Sequence, residues 1–355
     1  MPCYDRGRLS RAISLDTIRA AAPRVYAAAV RTPLVRLDPV STDAPEIWLK
    51  LETLQPIGAF KIRGAANAIG LLVEQGLVGA QRTERGVGAP RVSEPGGGRG
   101  APPPDNAVWT VSAGNAAQGV ALAAKRAGIR CSVLVMDTAP AAKLDAIRRL
   151  GAEIVQAPYD ECWHTVETHA NSRMRGRFIH PFDDDAFISG NGTAGLEILE
   201  DLPGVDAVVA AVGGGGLLAG IGCAIRSQKP AVKIYAAEPE TAAPLDASFK
   251  AGRPVTFDRW TASFVDGAGG RSVLPSMWPL LREYVDDTIV VTLEETAAAM
   301  KMAAKRCHVI SEGAGACAIA AALSSRVRDA GHRRVVAVVS GGNIDLATFA
   351  QLVGS

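Results

Sequence analysis

The stretch from Ala207 to Ile225 carries no charged residue and is long enough to cross a bilayer. Four consecutive glycines, Gly213 to Gly216, break its middle. A strand, a tight turn and a helix satisfy both the apolar runs and the break, so no membrane insertion is expected. The rest of the chain repeats this rhythm. Apolar runs of strand type are Glu46–Leu51, Ala107–Val111, Arg130–Met136, Asp206–Val212, Lys233–Ala237 and Arg334–Ser340. Helical patterns lie between them at Lys61–Glu74, Ala116–Ala127, Pro140–Leu150, Thr193–Leu199, Leu217–Arg226, Glu294–Arg306 and Ala314–Ser324. Alternation of this kind predicts an α/β fold: open, mostly parallel sheets flanked by helices. One segment breaks the pattern. Gly79 to Asn106 is rich in Gly, Pro and Arg without apolar periodicity, and reads as a flexible surface insertion.

Charge excludes one class of partner. With 38 basic and 36 acidic residues the formal net charge is +2, so no electrostatic footprint for nucleic acid exists. The six cysteines are scattered and form no C-x-x-C pair, which argues against a disulfide framework or a zinc site. A reducing cytoplasm is the expected setting. The N-terminus shows no apolar secretory segment.

Three turns carry candidate chemistry. In Gly58-Ala59-Phe60-Lys61-Ile62-Arg63-Gly64-Ala65 a single lysine stands where a strand and a Pro/Gly turn give way to a helix. That placement suits a lysine holding a cofactor aldehyde as a Schiff base, with Phe60 as an aromatic neighbour. An ordinary exposed helix lysine is the plainer reading. Ser112-Ala113-Gly114-Asn115-Ala116 follows a strand and opens a helix, where backbone N–H groups can bind a carboxylate. Ser112 and Asn115 can equally be helix caps. Gly213-Gly214-Gly215-Gly216-Leu217 removes every side chain from the turn itself, so successive N–H groups can converge on a phosphate. A rival reading takes Gly214, Gly216 and Ala219 as a dinucleotide fingerprint, with Glu238 as the ribose-binding acid of an NAD(P) dehydrogenase.

Together these motifs resemble the pyridoxal-5′-phosphate enzymes of fold type II, the tryptophan synthase β family. Within it the chain is most similar to the serine/threonine dehydratases and serine racemase. The resemblance runs from Thr32-Pro33-Leu34 to Ser340-Gly341-Gly342-Asn343 and includes Glu312-Gly313-Ala314-Gly315-Ala316. It implies pyridoxal 5′-phosphate as cofactor, with Lys61 as its covalent anchor and catalytic base. Phe60 would lie near the cofactor ring and Asn115 would contact the ring 3′-oxygen. Gly213, Gly214, Gly215, Gly216 and Leu217 would cradle the phosphate. Ser340 would face the pyridine nitrogen, and Ser112, Ala113, Gly114, Asn115 and Ala116 would grip the substrate carboxylate. The implied architecture is a large cofactor domain (1–73 and 181–355), the insertion (74–106) and a smaller domain (107–180), assembled as a homodimer or homotetramer.

The chain departs from the family at three points. Ala59 replaces the usual serine before the Phe-Lys pair, and Ala116 stands where the family has histidine. Ala113 occupies the position where serine racemase carries its second proton donor, so elimination is expected over racemisation. The expected reaction is dehydration and deamination of L-threonine or L-serine to a 2-keto acid and ammonia. Hydroxyaspartate, phenylserine or a hydroxyectoine-derived amino acid is the alternative substrate. Glu238 is a candidate cation ligand, but Pro244 stands where an aspartate would complete the set, so no metal is expected. Arg271 and His164 are weaker candidates for substrate contact. The chain runs only a short way past Asn343, which favours a degradative role over one with a regulatory domain.

Overall fold

The computed structural model describes residues 11–37, 44–79 and 106–354. Its strands are β1 (Leu34–Arg36), β2 (Glu46–Leu51), β3 (Ala107–Val111), β4 (Arg130–Met136), β5 (Glu153–Ala157), β6 (Arg177–Phe178), β7 (Ala207–Ala211), β8 (Lys233–Pro239), β9 (Asp287–Val291) and β10 (Arg334–Val339). They form a six-stranded sheet in the order β1-β2-β10-β7-β8-β9 and a four-stranded sheet in the order β5-β4-β3-β6. Only the edge pair β1–β2 is antiparallel; every other pairing is parallel. The two-sheet α/β architecture follows from the alternation of apolar runs. β3 and β7 are buried at every residue, as parallel strands covered by helices on both faces must be.

The uncharged stretch is a strand, a turn and a helix: β7, the glycines, and the helix Gly216–Arg226. Among the described residues no helix is long and apolar enough to cross a membrane. The Gly/Pro-rich insertion lies outside the described residues, apart from its ends.

One helix is longer than its sequence pattern predicts. The expected Thr193–Leu199 is part of Asp185–Asp201, which starts where Asp184 Oδ1 accepts from the Phe187 N–H at 2.7 Å. Gly190, Gly192 and Gly195 interrupt the apolar pattern there and disfavour helix locally. Tertiary packing overrides that preference. A Cβ at Gly190 would stand 2.5 Å from the Arg63 carbonyl oxygen, so the glycine permits direct backbone contact with the helix Lys61–Glu74.

Parallel register places the ends of the central strands level. Val339 of β10 pairs with Leu51 of β2, and Val338 of β10 with Ala210 of β7. The turns after β2, β7 and β10 therefore open on one crevice at the carboxyl edge, where α/β sheets place their ligands.

Candidate active site

The lysine turn and the turn after β10 are joined along their backbones. Ala59 and Gly341 form a bridge. The Phe60 N–H donates to the Ser340 carbonyl at 3.0 Å, and the Gly342 N–H donates to the Gly58 carbonyl at 2.9 Å. Ser340 is buried at the end of this seam. The helix Asn115–Ala127 leans on the same place, since a Cβ on Gly119 would stand 3.0 Å from the Lys61 backbone. Gly119 lies one helical turn beyond Asn115, so the Ser112–Ala116 turn sits beside Lys61. Neither side chain caps that helix. Gly114 is its N-cap, and the Ser112 hydroxyl instead accepts from the Gly114 N–H at 3.1 Å.

Lys61 opens its helix and is half-buried. Its ammonium donates to the Pro181 carbonyl at 2.6 Å. The rings of Phe60, Phe187 and Phe182 surround the nitrogen, with centroids at 5.2, 5.6 and 6.0 Å. Burial lowers its pKa to about 8, and Glu312 opposes the shift only in part. This is an amine poised to deprotonate near neutrality, unlike a solvated lysine.

The tetraglycine turn reaches the same crevice through Phe182, which neighbours the carbonyl that Lys61 touches. Gly215 has φ +88°, a left-handed conformation. A Cβ on Gly214 would collide with the Phe182 ring, and one on Gly216 would stand 2.6 Å from the Phe182 carbonyl oxygen. Gly215 caps the helix Gly216–Arg226 without any side-chain hydrogen bond. The first-turn N–H groups of that helix thus have no capping side chain, which suits them to an anion. Leu217 is buried in the first turn.

Sequence reasoning gave no role to the His180-Pro181-Phe182-Asp183 loop or to the Glu312 carboxylate. His180 fixes the loop: its Nε2 stands 3.1 Å from the Val166 carbonyl and its Nδ1 accepts from the Asp183 N–H at 2.7 Å. Burial, then the neighbouring His169, lowers its pKa to about 4 and keeps it neutral. Glu312 is 6% exposed and receives the Asn115 side-chain amide at 2.9 and 3.2 Å on its two oxygens. Burial raises its pKa to about 7, against the Asn115 hydrogen bond. Its place at the head of Glu312-Gly313-Ala314-Gly315-Ala316 was the only signal in the sequence.

Glu238, His164 and Arg271 differ in their surroundings. Glu238 is fully buried and caps the helix Pro244–Ala251, accepting the Leu245 N–H at 2.8 Å and the Asp246 N–H at 2.7 Å. Its carboxylate is therefore committed within the fold, and ribose binding is not its role. His164 is exposed on the helix Tyr159–Thr168. The Arg271 guanidinium stacks on Trp260 at 4.1 Å and faces Tyr159 at 5.3 Å.

Several known proteins resemble this chain in sequence and in shape. A family model described as "Pyridoxal-phosphate dependent enzyme" matches residues 25–341. An L-threonine ammonia-lyase of Thermotoga maritima is 35% identical over 96% of this chain and 78% of its own length. The catabolic L-threonine dehydratase TdcB of Escherichia coli is 34% identical, over 96% of both chains. The structure of maize serine racemase superposes with a TM-score of 0.80 at 32% identity, over 96% of each chain. These findings overturn the dehydrogenase reading of Gly214, Gly216, Ala219 and Glu238. With a family model that spans nearly the whole chain, the protein belongs to the pyridoxal-phosphate-dependent enzymes.

Proposed function

We propose that the protein removes water from L-threonine or L-serine and releases a 2-keto acid and ammonia. The observation that carries this reading is Lys61, whose nitrogen lies among the rings of Phe60, Phe182 and Phe187 and touches the Pro181 carbonyl where three turns meet. The residues present fit the cofactor of the family. An uncapped helix N-terminus behind four glycines suits its phosphate, Lys61 its aldehyde, and Ser340 its ring nitrogen. When bound, pyridoxal phosphate supplies an electron sink for charge developing at the substrate Cα.

The chain's own residues supply the rest. The Ser112–Ala116 turn offers backbone N–H groups to the substrate carboxylate. Lys61 takes the Cα proton as general base. Phe60, Phe182 and Phe187 keep water from its nitrogen and hold its pKa low. A neutral hydroxyl at Ser340 does not enforce a charged ring nitrogen, which favours early loss of the β-hydroxyl over a long-lived carbanion. The net loss, the Cα proton passed to Lys61 and the β-hydroxyl, is one water. The released enamine then takes up water to give the keto acid and ammonia. Arg271 supports a second reading. Exposed, stacked on Trp260 and carrying no carboxylate partner among the described residues, it suits 3-hydroxyaspartate, whose extra carboxylate it would attract.

Uptake of pyridoxal phosphate by the cofactor-stripped protein should follow the neutral fraction of Lys61. The rate, read from growth of the visible band, should rise about tenfold per pH unit below about 8 and level off above it. A rate still rising at pH 10 would show an ordinary solvated lysine.

Ala113 decides the fate of serine. It is half-buried in the substrate turn and has no proton to give. Incubation with L-serine should yield pyruvate with little D-serine, and Ala113→Ser should raise the ratio of racemisation to elimination. Faster D-serine than pyruvate from the unaltered protein would contradict the elimination reading.

A further inference from the structure

The polar contacts around Asn115 form a chain with a fixed direction. It starts at the Ile57 carbonyl, which can only accept. The Asn343 Nδ2 donates to that carbonyl at 2.7 Å, which settles which end of the Asn343 amide faces inward. The second hydrogen of the same Nδ2 goes to the Asn115 Oδ1 at 2.8 Å. The Asn115 Nδ2 must then point the other way, and there it meets Glu312 at 2.9 and 3.2 Å. An amide taken alone has two nearly equivalent orientations. Here the backbone carbonyl at one end and the carboxylate at the other both require the same one.

Glu312 is itself held in place. Its backbone N–H donates to the Gly341 carbonyl at 3.0 Å. A Cβ on Gly341 would stand 2.5 Å from the Glu312 Oε1, so only glycine leaves room for the carboxylate beside Ser340. No cation pairs directly with Glu312 among the described residues; Lys61, Asp266 and Lys143 are the ionisable groups around it. Among the described residues its carboxylate is hydrogen-bonded by the Asn115 side-chain amide and by the Asn343 backbone N–H. An acid buried to this depth without an ion pair is costly unless hydrogen-bonded, which asks for a purpose beyond packing.

We propose that Glu312 is a positioning residue: together with Asn343 it locks the Asn115 amide so that the remaining Nδ2 hydrogen is presented to the phenolic oxygen of the cofactor. The inference rests on the cofactor site described above. Asn115 uses one N–H on the carboxylate and keeps one. Without Glu312 the amide can rotate and offer its oxygen instead, which would repel the phenolic oxygen it should hold.

The test uses the loaded full-length protein and reads the pH midpoint of its visible band. Glu312→Ala and Asn343→Ala should each move the midpoint by about half to one pH unit, the scale of one hydrogen bond gained or lost. Asn115→Ala should move it at least as far. Adding Glu312→Ala to Asn115→Ala should move it no further. Turnover by Glu312→Ala should fall about tenfold through kcat, with KM for the amino acid nearly unchanged, as loss of an orienting contact implies. Should Glu312→Ala not fold, the isosteric Glu312→Gln should shift the midpoint in the same direction by less, since its amide can satisfy Asn115 either way round. An unchanged midpoint in these Glu312 variants overturns the proposal. So does an equal Glu312→Ala shift with and without Asn115, because Glu312 would then act directly. Borohydride reduction followed by peptide mass analysis keeps the two claims separate. Cofactor mass on the Lys61 peptide in every variant leaves the cofactor site standing whichever way the midpoint moves.

Discussion

Lys61→Ala should abolish turnover, with a loss of at least about three orders of magnitude, because one amine serves as both tether and base. The geometry explains why no neighbour replaces it. The Lys61 nitrogen lies among three aromatic rings and touches a backbone carbonyl. None of these can take a proton. Glu312, the ionisable group that most affects Lys61, is occupied by the Asn115 amide. The variant should still fold, since removing a desolvated amine relieves a burial cost. After borohydride treatment, the unaltered protein should carry the cofactor's mass on the peptide containing Lys61, and the variant should carry none. Turnover within tenfold of the unaltered protein would mean that another residue is the base.

The second large effect is on stability. Two residues beyond Lys61, and about 200° round the helix from it, Arg63 is fully buried. Its guanidinium donates to Glu52 at 2.7 and 2.8 Å and to Glu197 at 2.6 and 2.9 Å. Lys50 pairs with Glu197 at 2.6 Å and donates to the Thr32 carbonyl, also at 2.6 Å. Thr32 and Gln55 donate to Glu52, and Tyr26 donates to Glu197. Two cations thus face two carboxylates with their remaining hydrogen-bond sites largely filled. Burial works against the charge on both sides. It raises Glu197, yet Arg63 and Lys50 outweigh it and bring the carboxyl down to about 2. It lowers Arg63, yet the carboxylates raise it further.

Removing one partner leaves a charge uncompensated, so Arg63→Ala should cost about 3–5 kcal/mol of unfolding free energy. Arg63→Lys keeps the charge but cannot fork to both carboxylates, and should cost less than Arg63→Ala while still destabilising. Because Glu197 is held below its usual 4.5, its contribution is present above that pH and lost as pH falls towards about 2. Denaturant midpoints measured across this acid range should converge for the unaltered protein and Glu197→Gln. Equal midpoints for Arg63→Ala and the unaltered protein at neutral pH would show the network to be energetically idle.

How much of this was legible depends on what each residue's role requires. β2, β3, β4 and the lysine helix end where the sequence pattern places them. Apolar runs buried on both faces and a Pro/Gly turn leave little freedom there. β9, Asp287–Val291, escaped notice because an edge strand mixes polar residues into a short run. The same holds for β1, which is only three residues long. Lys61, Asn115, the glycines and Ser340 were visible as turns that follow strands, and the register of β2, β7 and β10 brings three of those turns to one edge. Glu312 was visible only as a letter within a motif. Its role depends on burial and on an amide contributed from nearly two hundred positions away, at Asn115, and no local pattern encodes that. Arg63 is a parallel case. As a residue among small neighbours it signalled close packing, whereas the fold makes it the centre of a buried ionic cluster.

The most direct measurement is product analysis of the purified, cofactor-loaded protein incubated with L-threonine, L-serine and 3-hydroxyaspartate separately. 2-Oxobutanoate from threonine, or pyruvate from serine, should appear in equal amounts with ammonia, and should vanish in Lys61→Ala. A protein that carries the cofactor on Lys61 yet releases no keto acid from any of the three, or that only inverts them, would contradict elimination as its reaction.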